Sequence, residues 1–146
     1  MGASAPVFER IVMPNTKAVG VAYSDPEFTT CYASEEIGYS AAAQGTVTQL
    51  TDKTTAVTLN RSSGRITMNA ASLAGNTAVS FTLNNTSISA NDTIIVCISG
   101  GATAAAYTVY ISSLATGSAL VTLRNLTAGA LLEAVIVNYA IIHGAS

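Results

Sequence analysis

Charge is what this chain has least of. Only 10% of its 146 residues are Asp, Glu, Lys or Arg, against about a quarter in an average soluble domain. Tryptophan is absent, histidine occurs once and cysteine twice. Each scarcity removes a class of chemistry. One histidine and two distant cysteines offer no metal-ligand spacing. Cys31 and Cys97 form no CxxC pair and read as small buried hydrophobes in a reducing compartment. His143 reads as a solvent-exposed residue near the end of the chain, since a general base needs fixed partners. Asp52, Asp92 and Glu133 stand alone in sequence, so no carboxylate pair suggests glycoside hydrolysis. There is no Gly-x-Ser-x-Gly elbow, and "SGGATA" (99–104) lacks the lysine of a phosphate loop. A net charge of −2 with no basic run argues against nucleic acid as a partner. Long apolar runs are missing too. "LLEAVIVNYAII" (131–142) falls short of the roughly twenty residues of a membrane span, and Glu133 and Asn138 interrupt it. No catalytic residue, metal or cofactor is expected from this inventory.

What is abundant is apolar surface, at 49% of the residues. With a membrane span excluded, burial against partners in an oligomer accounts best for the missing charge. The opening "MGASAPVFER" has no basic n-region or apolar h-region, so a secretory signal is not expected and the chain is read as cytosolic. Pro6 stands where a myristoylation motif calls for Ser or Thr. Asn-x-Ser/Thr triplets begin at Asn60, Asn84, Asn85, Asn91 and Asn125. They are ascribed to chance in a chain rich in Ser, Thr and Asn.

Punctuation divides the chain in two. All three prolines (Pro6, Pro14 and Pro26) lie in the first 26 residues, and residues 1–44 carry seven of the fourteen formal charges, a local net of −3. No sustained period appears there, so 1–44 is read as an arm. From Gly45 onward there is no proline, and the remaining seven charges sum to +1.

Residues 45–146 alternate with the period of strands that bury one face. Val57 and Leu59 fall on one side, as do Ile66 and Met68. Val79, Phe81 and Leu83 oppose Ser80 and Thr82; Tyr107, Val109 and Ile111 oppose Thr108, Tyr110 and Ser112. Turn signals separate these runs: "RSSG", "AGN", "NN", "ND", "GG", "TG" and "NLTAG". Such regular spacing indicates an all-β, antiparallel sandwich or barrel. "TIIVCIS" (93–99) and "AVIVNYAII" (134–142) break the alternation, being apolar on both faces. Either they are central strands covered on each side, or their second face meets another subunit. The scarcity of Lys and Glu on them favours a subunit interface. Candidate interface residues are Ile95, Cys97, Val135, Val137, Tyr139 and Ile141. Arg124 and Glu133, flanking "NLTAG", are expected to face one another as a structural pair. Tyr107, Tyr110 and Tyr139 offer the alternative of stacking on a sugar.

The series "GTVTQLTDKTTAVTLNRSSGRITM", "VSFTLNN", "ISGGATAAAYTVYI" and "TLRNLTAGALLEAVIVNYAII" resembles a module of tailed-bacteriophage virion proteins. That module occurs in capsid-decoration and head-fibre proteins and at the ends of tail fibres. The resemblance covers about residues 45–143, and no single piece of it is specific. It implies a β-sandwich of jelly-roll type that assembles as a homotrimer and carries no catalytic residues. The expectation is therefore a virion protein on the outer capsid surface that binds the major capsid protein. A fibre tip that recognises a host-surface glycan is the alternative. The arm would be the capsid-binding side, through Val7, Phe8, Ile11, Val12, Met13, Phe28, Tyr32 and Tyr39.

Overall fold

A computed structural model describes Gly2 and residues 29–144. Eight strands follow a short 3-10 turn at Ala41–Ala43: β1 (Gln44–Thr48), β2 (Val57–Thr58), β3 (Ser63–Thr67), β4 (Ala78–Asn84), β5 (Thr93–Gly100), β6 (Tyr107–Ala115), β7 (Ser118–Asn125) and β8 (Ile136–Ile142). They form two four-stranded sheets, β1-β3-β8-β5 and β2-β4-β7-β6. The protein is an all-β sandwich. It departs from a wholly antiparallel one, because β1 pairs with β3 and β2 with β4 in parallel. The reason lies in the chain path. The strands visit the sheets alternately, so β1 and β3 re-enter the same sheet after a full excursion through the other. Only β6 and β7 form a hairpin within one sheet, where Ala115 pairs with Ser118 around Thr116-Gly117 and Gly117 takes φ +81°. A two-residue turn of this kind needs a residue that tolerates positive φ.

Inward side chains of both sheets make one core. Ile66, Phe81, Leu83, Val121, Leu123, Val137 and Ile141 are fully enclosed, joined by Met68, Val57 and Ile88. Burying each large apolar side chain contributes roughly 1.5–3 kcal/mol, and these residues alternate as a pleated strand requires. Two inward positions are glycine for want of room. A Cβ on Gly64 would lie 2.5 Å from Leu59 Cδ2 and 2.8 Å from the Tyr139 ring, and one on Gly45 would lie 2.7 Å from Leu59. Leu59 thus fills the space that the glycines leave.

Buried polar groups fasten the corners. Tyr139 donates its hydroxyl to the carbonyls of Arg61 (3.0 Å) and Leu59 (3.2 Å), and Asn85 Nδ2 donates to Arg61 O (2.7 Å) and Tyr139 Oη (3.3 Å). The segment between β2 and β3 is thereby tied to both sheets. Asn125 does the same for the β7–β8 loop, donating to Leu73 O and Gly129 O while accepting from Thr127. Satisfied amides of this kind are what allow polar side chains to sit in a core.

The compact unit begins at Gly38. That is earlier than a boundary after residue 44, because Gln44 already pairs with Ser63 and Tyr39 donates its hydroxyl to the Ile141 carbonyl. Residues 29–40 have no regular secondary structure and every one is exposed.

Candidate interaction surface

Two surfaces invite a functional reading: a polar cluster at one end of the sandwich, and the outer face of the sheet that contains β5 and β8. The cluster is built around Lys53, which is buried in the loop before β2. Its ammonium donates to the carbonyls of Asn69 and Glu133. Gln49 supports the loop by donating to Thr55 O (2.9 Å) and Lys53 O (3.2 Å) and accepting from Asn69 N (3.1 Å). The Glu133 carboxylate accepts from Thr103 N (3.0 Å) and Oγ1 (2.6 Å). Those bonds hold its pKa below the usual carboxylate value, with the nearby Lys53 charge a smaller contribution. Burial lowers Lys53, opposed by Glu133. Tyr107, buried without a hydrogen-bond partner among the described residues, is pushed up to about 12 by burial and then by the neighbouring carboxylate. Lys53 and Glu133 are thus engaged with loop backbone and loop hydroxyls, and together they knit three loops. Arg124 is not part of this. It lies exposed on β7 opposite Ala78 and Thr108, so the expected Arg124–Glu133 pair does not form. The reason is parity: Arg124 points away from the core on β7, whereas Glu133 follows the loop.

A second polar knot sits where β8 ends. Asp92 accepts from Ser89 N (2.8 Å), Ser89 Oγ (2.7 Å) and Gly144 N (3.1 Å), with His143 Nδ1 at 3.2 Å. The Ser89 amide is the foremost reason its pKa is lowered to about 2. His143 is therefore a tether for the end of the strand as well as a surface residue.

The outer face presents different chemistry. Register places Thr46, Arg65, Asn138 and Cys97 in one row across β1, β3, β8 and β5, with Gln44, Ser63, Ala140 and Ile95 in the next. Between the rows runs an open groove of about 640 Å³, lined by Gln44, Thr46, Ser63, Arg65 and Asn138. Ser99 Oγ donates to Asn138 Oδ1 (2.9 Å), which leaves the Asn138 amide group facing the groove. Arg65 has no hydrogen-bond or ion-pair partner among the described residues. Toward β5 the face turns apolar: Ile95 is 54% exposed and Ile142 55%. On the same side of the sandwich, β5 and β6 are both sheet edges, and neither carries a charged residue. Long uncharged edges with unpaired backbone groups are pairing templates unless something covers them.

The sequence-predicted residues divide accordingly. Ile95 and Cys97 point outward and are exposed, and Cys31 is exposed too, so neither cysteine is the buried hydrophobe expected: Cys97 has the outward parity of an edge strand and Cys31 lies in the irregular segment before the sandwich. Val135, Val137, Tyr139 and Ile141 do not reach the surface; they lie in the chain's own core at 0–4% exposure. This corrects their assignment to a subunit interface. Parity is again the reason: β8 is a central strand, its odd positions face the opposing sheet, and its outward set is Ile136, Asn138, Ala140 and Ile142. Polar Asn138 within the even set was the available signal. Arg65 was missed because an isolated basic residue in a strand carries no motif. Of the arm candidates, Val7, Phe8, Ile11, Val12, Met13 and Phe28 lie outside the described residues, while Tyr32 is exposed and Tyr39 anchors to Ile141. Of the three tyrosines considered for sugar stacking, Tyr107 and Tyr139 are buried and only Tyr110 is open.

Among the described residues no group of His, Cys, Asp and Glu is placed to hold a metal ion, and no helix is long and apolar enough to cross a membrane. Comparison with protein-family models, curated proteins and solved structures returns no match.

Proposed function

We propose that this chain is a non-enzymatic virion structural protein. It would act as a capsid decoration (cement) protein that binds the outside of a tailed-bacteriophage head as a homotrimer. The observation that carries the reading is the pair of open, uncharged edges β5 and β6 together with Ile95 and Ile142 exposed on the adjoining sheet face. An isolated molecule has no reason to keep such a surface, whereas a subunit in a symmetric assembly buries it. The resemblance of residues 45–143 to phage decoration and fibre modules supplies the setting. Three copies would each contribute a modest contact to the major capsid protein, and linked contacts sum to near-permanent attachment. The apolar residues before position 29 are the proposed anchors. Purified virions test this: the chain should be present in a fixed ratio to the major capsid protein. Removing residues 1–28 should leave a folded assembly that no longer decorates heads lacking the native protein. Absence from virions would overturn the reading.

One observation favours the second reading, a glycan-binding fibre tip. Tyr110 stands 45% exposed on β6, beside a hydroxyl chain of Ser80, Thr122 and Ser112 at 2.7 Å spacings. An exposed ring among hydroxyls suits a sugar face. Under that reading Tyr110→Ala abolishes adsorption to host cells; under the decoration reading adsorption is unchanged.

A further inference from the structure

Two sets of unmet contacts complement each other. The first is the segment leading to the sandwich. Tyr32 is 93% exposed and Ile37 88% exposed, and Glu35 and Glu36 have no ion-pair partner among the described residues. Its only formal charges over residues 29–40 are these two negative ones. The second is the outer face of the β1-β3-β8-β5 sheet. Its only formal charge is Arg65, which is equally unpartnered, and beside it lie exposed Ile95 and Ile142. One surface has acid and bare apolar side chains; the other has a base in an open groove and bare apolar side chains.

We infer that the strap of residues 30–37 of one copy lies in the groove of a second copy, its Glu35 or Glu36 carboxylate on the Arg65 guanidinium. The inference rests on the homotrimeric reading above and adds how the copies engage. A guanidinium takes a carboxylate with two parallel hydrogen bonds, and the Asn138 amide beside it offers a further donor. The groove crosses the strands, so an extended segment fits along it. Arg65 and Cys97 share a cross-strand row two strands apart, which is about 10 Å at normal strand spacing. Tyr32 precedes Glu36 by four residues, about 13 Å of extended chain. With Glu36 at Arg65, Tyr32 falls on the same, sheet-facing side of the strap and meets the exposed Ile95 at the β5 edge, and Cys31 beside it stands within a linker's reach of Cys97. This covers the apolar end of the face. The exchange is head-to-tail, and a threefold rotation between copies closes it as the ring of the homotrimeric reading.

The native cysteines report on it. Copies with and without ¹⁵N label are refolded together, treated with a bis-maleimide linker and mapped by mass spectrometry, with sedimentation run in parallel. The expected result is a trimer with Cys31 of one label joined to Cys97 of the other. Arg65→Glu should lower that yield at least several-fold, and adding Glu35→Arg and Glu36→Arg to the same chain should restore it. A trimer in which Cys31 and Cys97 never join between copies, or join only within one, overturns the strap and leaves the trimer standing. A yield indifferent to Arg65→Glu likewise removes the Arg65 contact. A monomer overturns both.

Discussion

At the scale of single residues, the sandwich depends on a few polar side chains that a count of apolar residues would overlook. Tyr139 and Asn85 share the Arg61 carbonyl, but their loss is not equivalent. Without the Tyr139 hydroxyl, Arg61 O keeps Asn85 and Leu59 O keeps the Arg61 amide. Tyr139→Phe should therefore cost only about 1 kcal/mol, the net worth of ordinary hydrogen bonds. Asn85→Ala also strips a buried acceptor from Ser87 N and a donor from Tyr139 Oη, and should cost about 2–3 kcal/mol. Denaturant unfolding of both variants checks the order, and equal losses would contradict the network described. Asp92 gives a pH signature. Its pKa is about 2 in the folded chain against an ordinary 3.8. The ionised form is favoured by folding, so its stabilisation is complete above about pH 4 and is lost as pH falls toward 2. Melting temperatures across that window should fall less steeply for Asp92→Asn than for the native chain. An unchanged slope would mean that the carboxylate is not held as described.

At the scale of elements, β5 and β8 look alike in sequence and differ in position. β8 is central, with its odd positions in the core; β5 is an edge, with Ile95 outward. Val137→Lys places a charge among enclosed side chains, at a cost of several kcal/mol, and should unfold the sandwich. Ile95→Lys should leave the far-ultraviolet circular dichroism and melting of the sandwich intact while abolishing self-association. Folded Val137→Lys would refute the core assignment; unimpaired association of Ile95→Lys would refute the interface. This difference also marks how far the sequence could be read. The strands carrying Val57, Ile66, Phe81 and Tyr107 were legible because polar residues alternate with them. β8 was not, since both of its faces are apolar and only Asn138 distinguishes them. β7 was hidden for a related reason: Val121, Thr122 and Leu123 are all enclosed, so its burial does not alternate. The parallel pairs were out of reach, because sheet membership depends on where each crossover lands. Of the candidate surface, Ile95 and Cys97 were named because the strand is apolar on both faces, a signal that did not separate them from the enclosed positions of β8. Arg65 and its groove emerge only when register sets β1, β3 and β8 side by side.

At the scale of the whole molecule, the shortage of charge is the property to explain. Seven charges serve residues 45–146, and of these Lys53, Asp92 and Glu133 are occupied with loops and the strand end. Little remains to keep two long uncharged edges apart from their counterparts in other copies. Burial in a closed assembly, such as the proposed ring of three, resolves this without added charge. Sedimentation equilibrium of the purified full-length chain, without metal or cofactor, tests this most directly. One species of three times the chain mass, persisting into the low micromolar range, is the expected result. A monodisperse monomer at those concentrations would contradict it.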